Sequence, residues 1–244
     1  MYQFFVQNEQ VQQNKIIITG SDVNHIKNVI RLKPSDAIRV SDEDGNAYFC
    51  HITEIFEMEV WAEIDRMDET GTELSNRIYL FQGLPKNEKM ELIIQKAVEL
   101  GVYEVIPVAM RNCVVKLDDK KAEGKVKRWQ AIAESAAKQS KRTIIPNIAM
   151  PISYKQAIER AKELDVTLVP YENERGMEAT RELILGIKKG ESIGIIIGPE
   201  GGFAEEEIEM VKDGMHRISL GRRILRTETA GLATLSMLIF HLDD

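Results

Sequence analysis

The sequence predicts an α/β protein: a parallel sheet flanked by helices, preceded by a small β barrel. Three observations predict this. Residues 1–72 are short apolar runs separated by polar turns. From residue 77 onward, apolar strands alternate with amphipathic helices. Between the two regimes, residues 66–76 (RMDETGTELSN) are polar and aperiodic and read as a linker. The division falls into residues 1–72 and 73–244.

In the first part, runs at 3–6, 15–18, 37–40, 47–55 and 59–64 are expected strands, with Asp42-Glu43-Asp44-Gly45-Asn46 as a turn. A helix is expected over 21–30, with Ser21 or Asp22 as N-cap. In the second part, 78–82 reads as a strand. Residues 87–100 read as a helix, with Met90, Ile93, Ile94, Ala97 and Val98 on one face and Gly101 past its end. Strands follow at 102–108, 166–169, 192–197 and 217–220. Helices are expected at 119–141, 154–164, 204–212 and 229–240. The β-branched run 192–197 suits a parallel strand buried on both faces. Glu205, Glu206 and Glu207 sit where a helix dipole favours acids.

Of 244 residues, 43% are hydrophobic and 29% charged. No window is long and apolar enough to span a membrane. The N-terminal residues lack a basic region followed by an apolar core, so a cytoplasmic location is expected. Cys50 and Cys113 form no CxxC, and His25, His51, His216 and His241 show no ligand spacing, so no metal is expected. Neither cysteine has a motif placing a histidine beside it, which disfavours a cysteine hydrolase.

The net charge of −7 is unevenly distributed: residues 1–72 carry −7, whereas 111–146 carry +6. Screening cuts off distant charge within about 8–10 Å, so a basic stretch can bind RNA on an acidic protein. A solvated helix face gives the same pattern.

Ligands of open α/β sheets bind beyond the carboxyl ends of the strands, and two loops there stand out. Ile197-Gly198-Pro199-Glu200-Gly201-Gly202-Phe203 follows the buried strand. Its glycines let backbone groups approach a ligand closely. It lacks the Lys and Ser/Thr of a Walker motif and carries Glu200, which repels phosphate and suits a neutral or cationic ligand. A purely structural turn fits equally well. The second loop, Ser219-Leu220-Gly221-Arg222-Arg223-Ile224-Leu225-Arg226-Thr227-Glu228-Thr229-Ala230-Gly231, opens the last helix, with Thr227 or Thr229 able to cap it. Arg222 and Arg223 suit a solvated loop, whereas Arg226 and Glu228 lie between apolar Leu225 and the buried-looking last helix and are less easily dismissed.

GPEGGF after an apolar strand, followed by SLGRRILRTETA, resembles the SPOUT superfamily of S-adenosylmethionine-dependent RNA methyltransferases. Within it the chain resembles the ribosomal RNA small subunit methyltransferase E family, whose members methylate N3 of a uridine in 16S rRNA. His25 with Val29-Ile30-Arg31-Leu32, Lys96-Ala97-Val98-Glu99-Leu100-Gly101-Val102, Gln139-Ser140-Lys141-Arg142 with Ile145-Pro146, and Tyr171-Glu172 support the narrower match. Ser35 and Lys141 depart from it, standing where the family commonly has glycine.

The resemblance implies a PUA-like RNA-binding barrel and a SPOUT domain whose C-terminal part forms a trefoil knot, a rare topology. It implies a homodimer with its sites at the subunit interface. It places Ile197, Gly198, Pro199, Glu200, Gly201 and Gly202 on one wall of an S-adenosylmethionine pocket, and Leu220, Gly221, Ile224, Leu225, Thr229 and Ala230 on the other. Tyr171 and Glu172 face the same pocket. Arg226 is the candidate stabiliser of the uracil anion, with Glu228 orienting it or receiving the proton through water. Arg31, Lys33, Lys141 and Arg142 are candidate RNA contacts. Two alternatives stay open: another SPOUT methyltransferase, acting on ribose 2′-OH or a tRNA base, and a non-catalytic RNA-binding module. The last helix, apolar or small almost all round, is expected to help form the dimer interface or to be buried within the chain.

Overall fold

The computed structural model describes residues 1–212 and 214–243. The chain divides into two compact units. One is Met1–Glu73 with Ala137–Ile145; the other is Leu74–Ala136 with the chain from Pro146 onward. The expected division at 72/73 therefore misses a segment: residues 137–145, far along the chain, belong with the first unit.

The first unit is a six-stranded sheet in the order β1-β4-β5-β6-β3-β2. Its strands are β1 (Tyr2–Phe5), β2 (Val11–Gln12), β3 (Lys15–Thr19), β4 (Ala37–Ser41), β5 (Ala47–Ile55) and β6 (Glu59–Met67). All pairings are antiparallel except β1 with β4. One more strand forms than the five expected, because β2 is too short to show a period. Alternate residues Ile16, Ile18, Ile38, Val40, Cys50, Ile52, Val60 and Ala62 enter one core, as the period of two requires. The helix expected over 21–30 begins as α1 (Ser21–Asn24) and continues as a π turn over His25–Val29. Its N-cap is Gly20, with no side-chain cap bond, rather than Ser21 or Asp22. Ser35 and Lys141 have φ of 77° and 64°, so the glycine common at both positions in the resembled family meets a backbone that disfavours a Cβ.

The second unit is a seven-stranded parallel sheet in the order β10-β8-β7-β12-β11-β13, with β9 also pairing β8. Its strands are β7 (Arg77–Gly83), β8 (Glu104–Ala109), β9 (Asn147–Ile148), β10 (Ile152–Ser153), β11 (Val166–Pro170), β12 (Ser192–Ile197) and β13 (Met215–Ile218). The helices are α2 (Lys89–Glu99), α3 (Asp119–Ser140, whose last turn belongs to the first unit), α4 (Tyr154–Ala161), α5 (Glu178–Gly186), α6 (Glu205–Glu209) and α7 (Thr227–Leu242).

Local chemistry explains the boundaries. α2 buries the expected face of Met90, Ile93, Ile94, Ala97 and Val98, and Gly101 ends it at φ 82°. Ser153 and Gln156 form a capping box that starts α4. At α6, Glu207 accepts from the Ala204 and Arg111 backbone N–H groups. The last strand lies at 215–218 rather than 217–220, since its register is set by pairing Thr167 with Met215 through Pro170 with Ile218. α5 was not expected; its two buried residues, Thr180 and Ile184, give little periodic signal.

β7 and β12 pair in the centre over six residues, Arg77 with Ser192 through Gln82 with Ile197. The segment that leaves β12 packs closely against the end of β7: a Cβ on Gly83 would lie 2.7 Å from the Pro199 backbone nitrogen. Glycine is required there by contact with main chain.

Candidate active site

The parallel strands β11, β12 and β13 end in loops that enclose a cavity of about 420 Å³, within the range of small-molecule sites. Ile197, Gly198, Pro199, Glu200 and Gly202 form one wall; Leu220, Gly221, Ile224, Leu225, Arg226 and Ala230 form another. Tyr171 and Glu172, at the end of β11, face the same space. Residues from three separate stretches thus line one cavity.

Two expected wall residues stand elsewhere. Gly201 does not line the cavity: a Cβ there would meet Asn112 Cβ at 2.9 Å. A side chain at 201 would therefore press on the Asn112 segment rather than fill ligand space. Thr229 is exposed and outside the lining, whereas Thr227 is inside it.

Buried hydrogen bonds hold the loops. Thr227 is 7% exposed, and its hydroxyl donates to the Gly198 carbonyl at 2.7 Å and accepts from Gln82 Nε2 at 2.9 Å. The end of β7, the Gly-rich loop and the start of α7 are thereby joined at one hydroxyl. Neither Thr227 nor Thr229 caps α7: Arg226 occupies the N-cap without a side-chain cap bond. Asn112 Nδ2 donates to the Gly201 and Gly202 carbonyls. The Thr180 hydroxyl exchanges bonds with the Ser219 backbone, at 3.2 Å to its carbonyl and 3.1 Å from its N–H.

Lys89, at the start of α2, lies 3.1 Å from Glu200 and 3.1 Å from Glu228. Glu200 also accepts from the Lys86 N–H at 3.0 Å. Burial pushes the Glu200 carboxyl up, but the backbone N–H groups of Lys86 and Glu200 and the Lys89 ammonium outweigh it and hold the group below its ordinary value. Glu228 is likewise held low: burial opposes, and its own backbone N–H, Lys89 and Arg226 prevail. Hydrogen bonds to Glu200 and then Glu228 raise the Lys89 ammonium. Sequence reasoning missed Lys89, Gln82, Asn112 and Thr180; only their distant partners reveal them.

The basic stretch divides between the units. In the first unit, Arg142 is 3% exposed and its guanidinium is bound to Glu73. Lys141 Nζ donates to the Met1 carbonyl at 2.8 Å, and Lys138 pairs with Asp22. Arg142, expected at an RNA surface, is instead an interior group committed to a carboxylate. Arg31 and Lys33 are exposed on the same unit. In the second unit, Arg111 pairs with Glu206 and Arg128 with Glu88 and Glu91, while Lys116, Lys120 and Lys127 are exposed. Among the described residues no three His, Cys, Asp or Glu side chains are grouped to hold a metal ion, and no helix is long and apolar enough to cross a membrane.

Residues 72–239 match the RNA methyltransferase domain family, and residues 18–64 match the RNA methyltransferase PUA domain family. Ribosomal RNA small subunit methyltransferase E of Bacillus subtilis is 37% identical, covering 99% of this chain and 97% of that protein. The protein of the same name from Mesomycoplasma hyopneumoniae is 38% identical over 98% of this chain and 99% of its own. A solved structure of the Neisseria gonorrhoeae ribosomal RNA small subunit methyltransferase E, bound to S-adenosyl methionine, superposes with a TM-score of 0.85 at 30% identity, covering 98% of this chain and 97% of that one. The order of motifs, the parallel sheet and the loop-walled cavity agree with these relationships, and the chain belongs to the ribosomal RNA small subunit methyltransferase E family.

Proposed function

We propose that this protein transfers the methyl group of S-adenosylmethionine to N3 of a uridine in 16S rRNA of the small ribosomal subunit. The observation that carries the reading is the cavity at the carboxyl ends of β11, β12 and β13, with Glu200 on its wall and Arg226 at its rim. Its size suits one cofactor, its walls are backbone-rich, and Glu200 suits a cation. Glu200 and the backbone of Gly198, Leu220 and Leu225 would hold the cofactor, which when bound supplies an electrophilic methyl on a sulfonium.

Methylating uracil N3 requires loss of the imide proton to solvent water, which leaves negative charge on N3 and the flanking carbonyl oxygens. Arg226 is exposed, lines the cavity, and presents a planar fork that can meet such an anion. Glu228 is held low by its surroundings, whereas an efficient base has a pKa near the working pH. Its part in this proposal is therefore to orient cationic side chains. The uridine must be swung out of its stack to reach the cavity. Exposed Lys116, Lys120 and Lys127, with Arg31 and Lys33 of the PUA-like unit, are the proposed phosphate contacts.

The proposal includes the C-terminal trefoil knot that the family resemblance implies. It also includes a homodimer. Phe240 on α7 is 93% exposed, and Leu92 on α2 is also exposed, apolar surface that a second copy would cover. The test is transfer of labelled methyl from S-adenosylmethionine to 30S subunits. Label is expected in 16S rRNA, with no transfer to 50S subunits; equal labelling of both would refute the substrate assignment.

A further inference from the structure

We propose that Lys89 is a positioning residue of the methyl-transfer site: it lets Glu200 and Glu228 stay ionised side by side, so that the charge facing the cofactor does not change with pH across the neutral range. This rests on the reading of the cavity as the S-adenosylmethionine site.

The geometry is a three-membered ion cluster. One ammonium sits 3.1 Å from each of two carboxylates, so the carboxylates are no farther apart than twice that distance. Exposure of the side chains is 27% for Lys89, 25% for Glu200 and 17% for Glu228, so water screens the cluster only partly. Two carboxylates gathered at one ammonium repel each other once that counter-ion is removed, and the repulsion favours a proton on one of them. Lys89 supplies the counter-ion, and its four-carbon stem reaches both acids from α2, an element outside the two loops that carry them.

Other charges bear on the pair. Arg226 acts on Glu228, and the Cys113 thiol feels Glu200. Across the cavity stand Glu172, Glu174, Arg175 and the Arg222-Arg223 pair. Among the described residues, Lys89 is the side chain that pairs with both carboxylates.

The consequence is specific to a cationic ligand. With Lys89 present, both acids are already ionised above about pH 5, so a sulfonium meets a constant field. Without it, binding a cation must expel the shared proton, and affinity becomes linked to pH. A neutral thioether expels nothing.

The test compares the wild type with Lys89→Met and Lys89→Arg in two measurements between pH 5 and 8. The first is the melting midpoint of ligand-free protein. In the wild type both carboxyls are held below their unfolded values, so their contribution is fully present above about pH 5 and the midpoint holds steady. In Lys89→Met one carboxyl is raised, so its contribution is present at low pH and lost as pH rises through the raised value. The midpoint of Lys89→Met therefore falls relative to wild type, and Lys89→Arg restores the flat curve. The second is calorimetric affinity. For Lys89→Met, affinity for S-adenosylmethionine rises with pH by up to about tenfold per unit, while that for S-adenosylhomocysteine stays level. Parallel curves for wild type and Lys89→Met in both measurements would overturn the proposal. If the melting curves diverge as expected but the wild type binds neither ligand, the reading of the cavity fails instead.

Discussion

Replacing Thr227 with Val tests how the site is held together. The two side chains have nearly the same shape, so no cavity opens and the lost quantity is the hydroxyl. In the structure that hydroxyl donates to the Gly198 carbonyl at 2.7 Å and accepts from Gln82 Nε2 at 2.9 Å. Gln82 is fully buried and Thr227 is 7% exposed, so water does not replace the hydroxyl beside Gln82, whereas half-buried Gly198 on the cavity wall keeps access to solvent. Gln82 Nε2 keeps a second bond, to the Gly83 carbonyl at 3.1 Å, which reduces its share of the penalty. Stranding a buried polar group costs about 1–3 kcal/mol. With one amide half-stranded and one half-buried carbonyl left to the cavity's water, the expected loss is about 1–3 kcal/mol. For a chain of this size that is a drop of roughly 2–12 °C in melting midpoint. Cofactor affinity should fall as well, because the Gly198 loop loses its anchor to α7. Thr227→Ser, which keeps the hydroxyl, should recover most of both. The assays are thermal melting and calorimetry with S-adenosylmethionine. A midpoint within about 1 °C of wild type, with unchanged affinity, would refute the claim that this hydroxyl joins the three elements.

Other substitutions separate chemistry from scaffolding. Arg226→Ala should lower single-turnover methyl transfer by about 10²–10³ at saturating substrate, the usual loss for one anion-stabilising donor, with cofactor affinity and melting midpoint unchanged; Arg226→Lys should recover it in part. Arg142→Ala should lower stability, since it leaves Glu73 without its buried partner, while the salt dependence of RNA binding measured by filter retention stays as in wild type. A reduced salt slope in that variant would mean that Arg142 touches phosphate after all. Ser35→Gly should raise the melting midpoint, because Ser35 is exposed at φ 77° and relief of left-handed strain, about 1–2 kcal/mol, exceeds the added chain entropy; an unchanged or lower midpoint would count against strain there.

The extent to which this molecule can be read from its sequence follows the range of each interaction. The strand over Ser192–Ile197 and the face of α2 are local patterns, and both stand where periodicity puts them. The two loops of the site were visible because Gly198-Pro199-Glu200-Gly201-Gly202 and Gly221 depart from strand and helix composition at the ends of apolar runs. Lys89 gave no signal, since a lysine at a helix start is ordinary and its partners lie far along the chain. Gln82 read as the polar end of a strand, yet it is buried where α7 begins. Arg142 looked like part of a basic surface because Glu73, which claims it, is distant in sequence. The same distance hid the membership of Ala137–Ile145 in the first unit, where Gln3 and Arg39 bind the Arg142 and Lys141 carbonyls.

The central claim is methyl transfer to uracil N3, and nucleoside mass spectrometry of the product tests it most directly. Purified protein is incubated with S-adenosylmethionine and 30S subunits from cells lacking it, and the 16S rRNA is digested. The account predicts one new 3-methyluridine per 16S rRNA, absent when Arg226→Ala replaces the wild type under the same single-turnover time. A 2′-O-methyl nucleoside, or no methylated nucleoside at all, would contradict it.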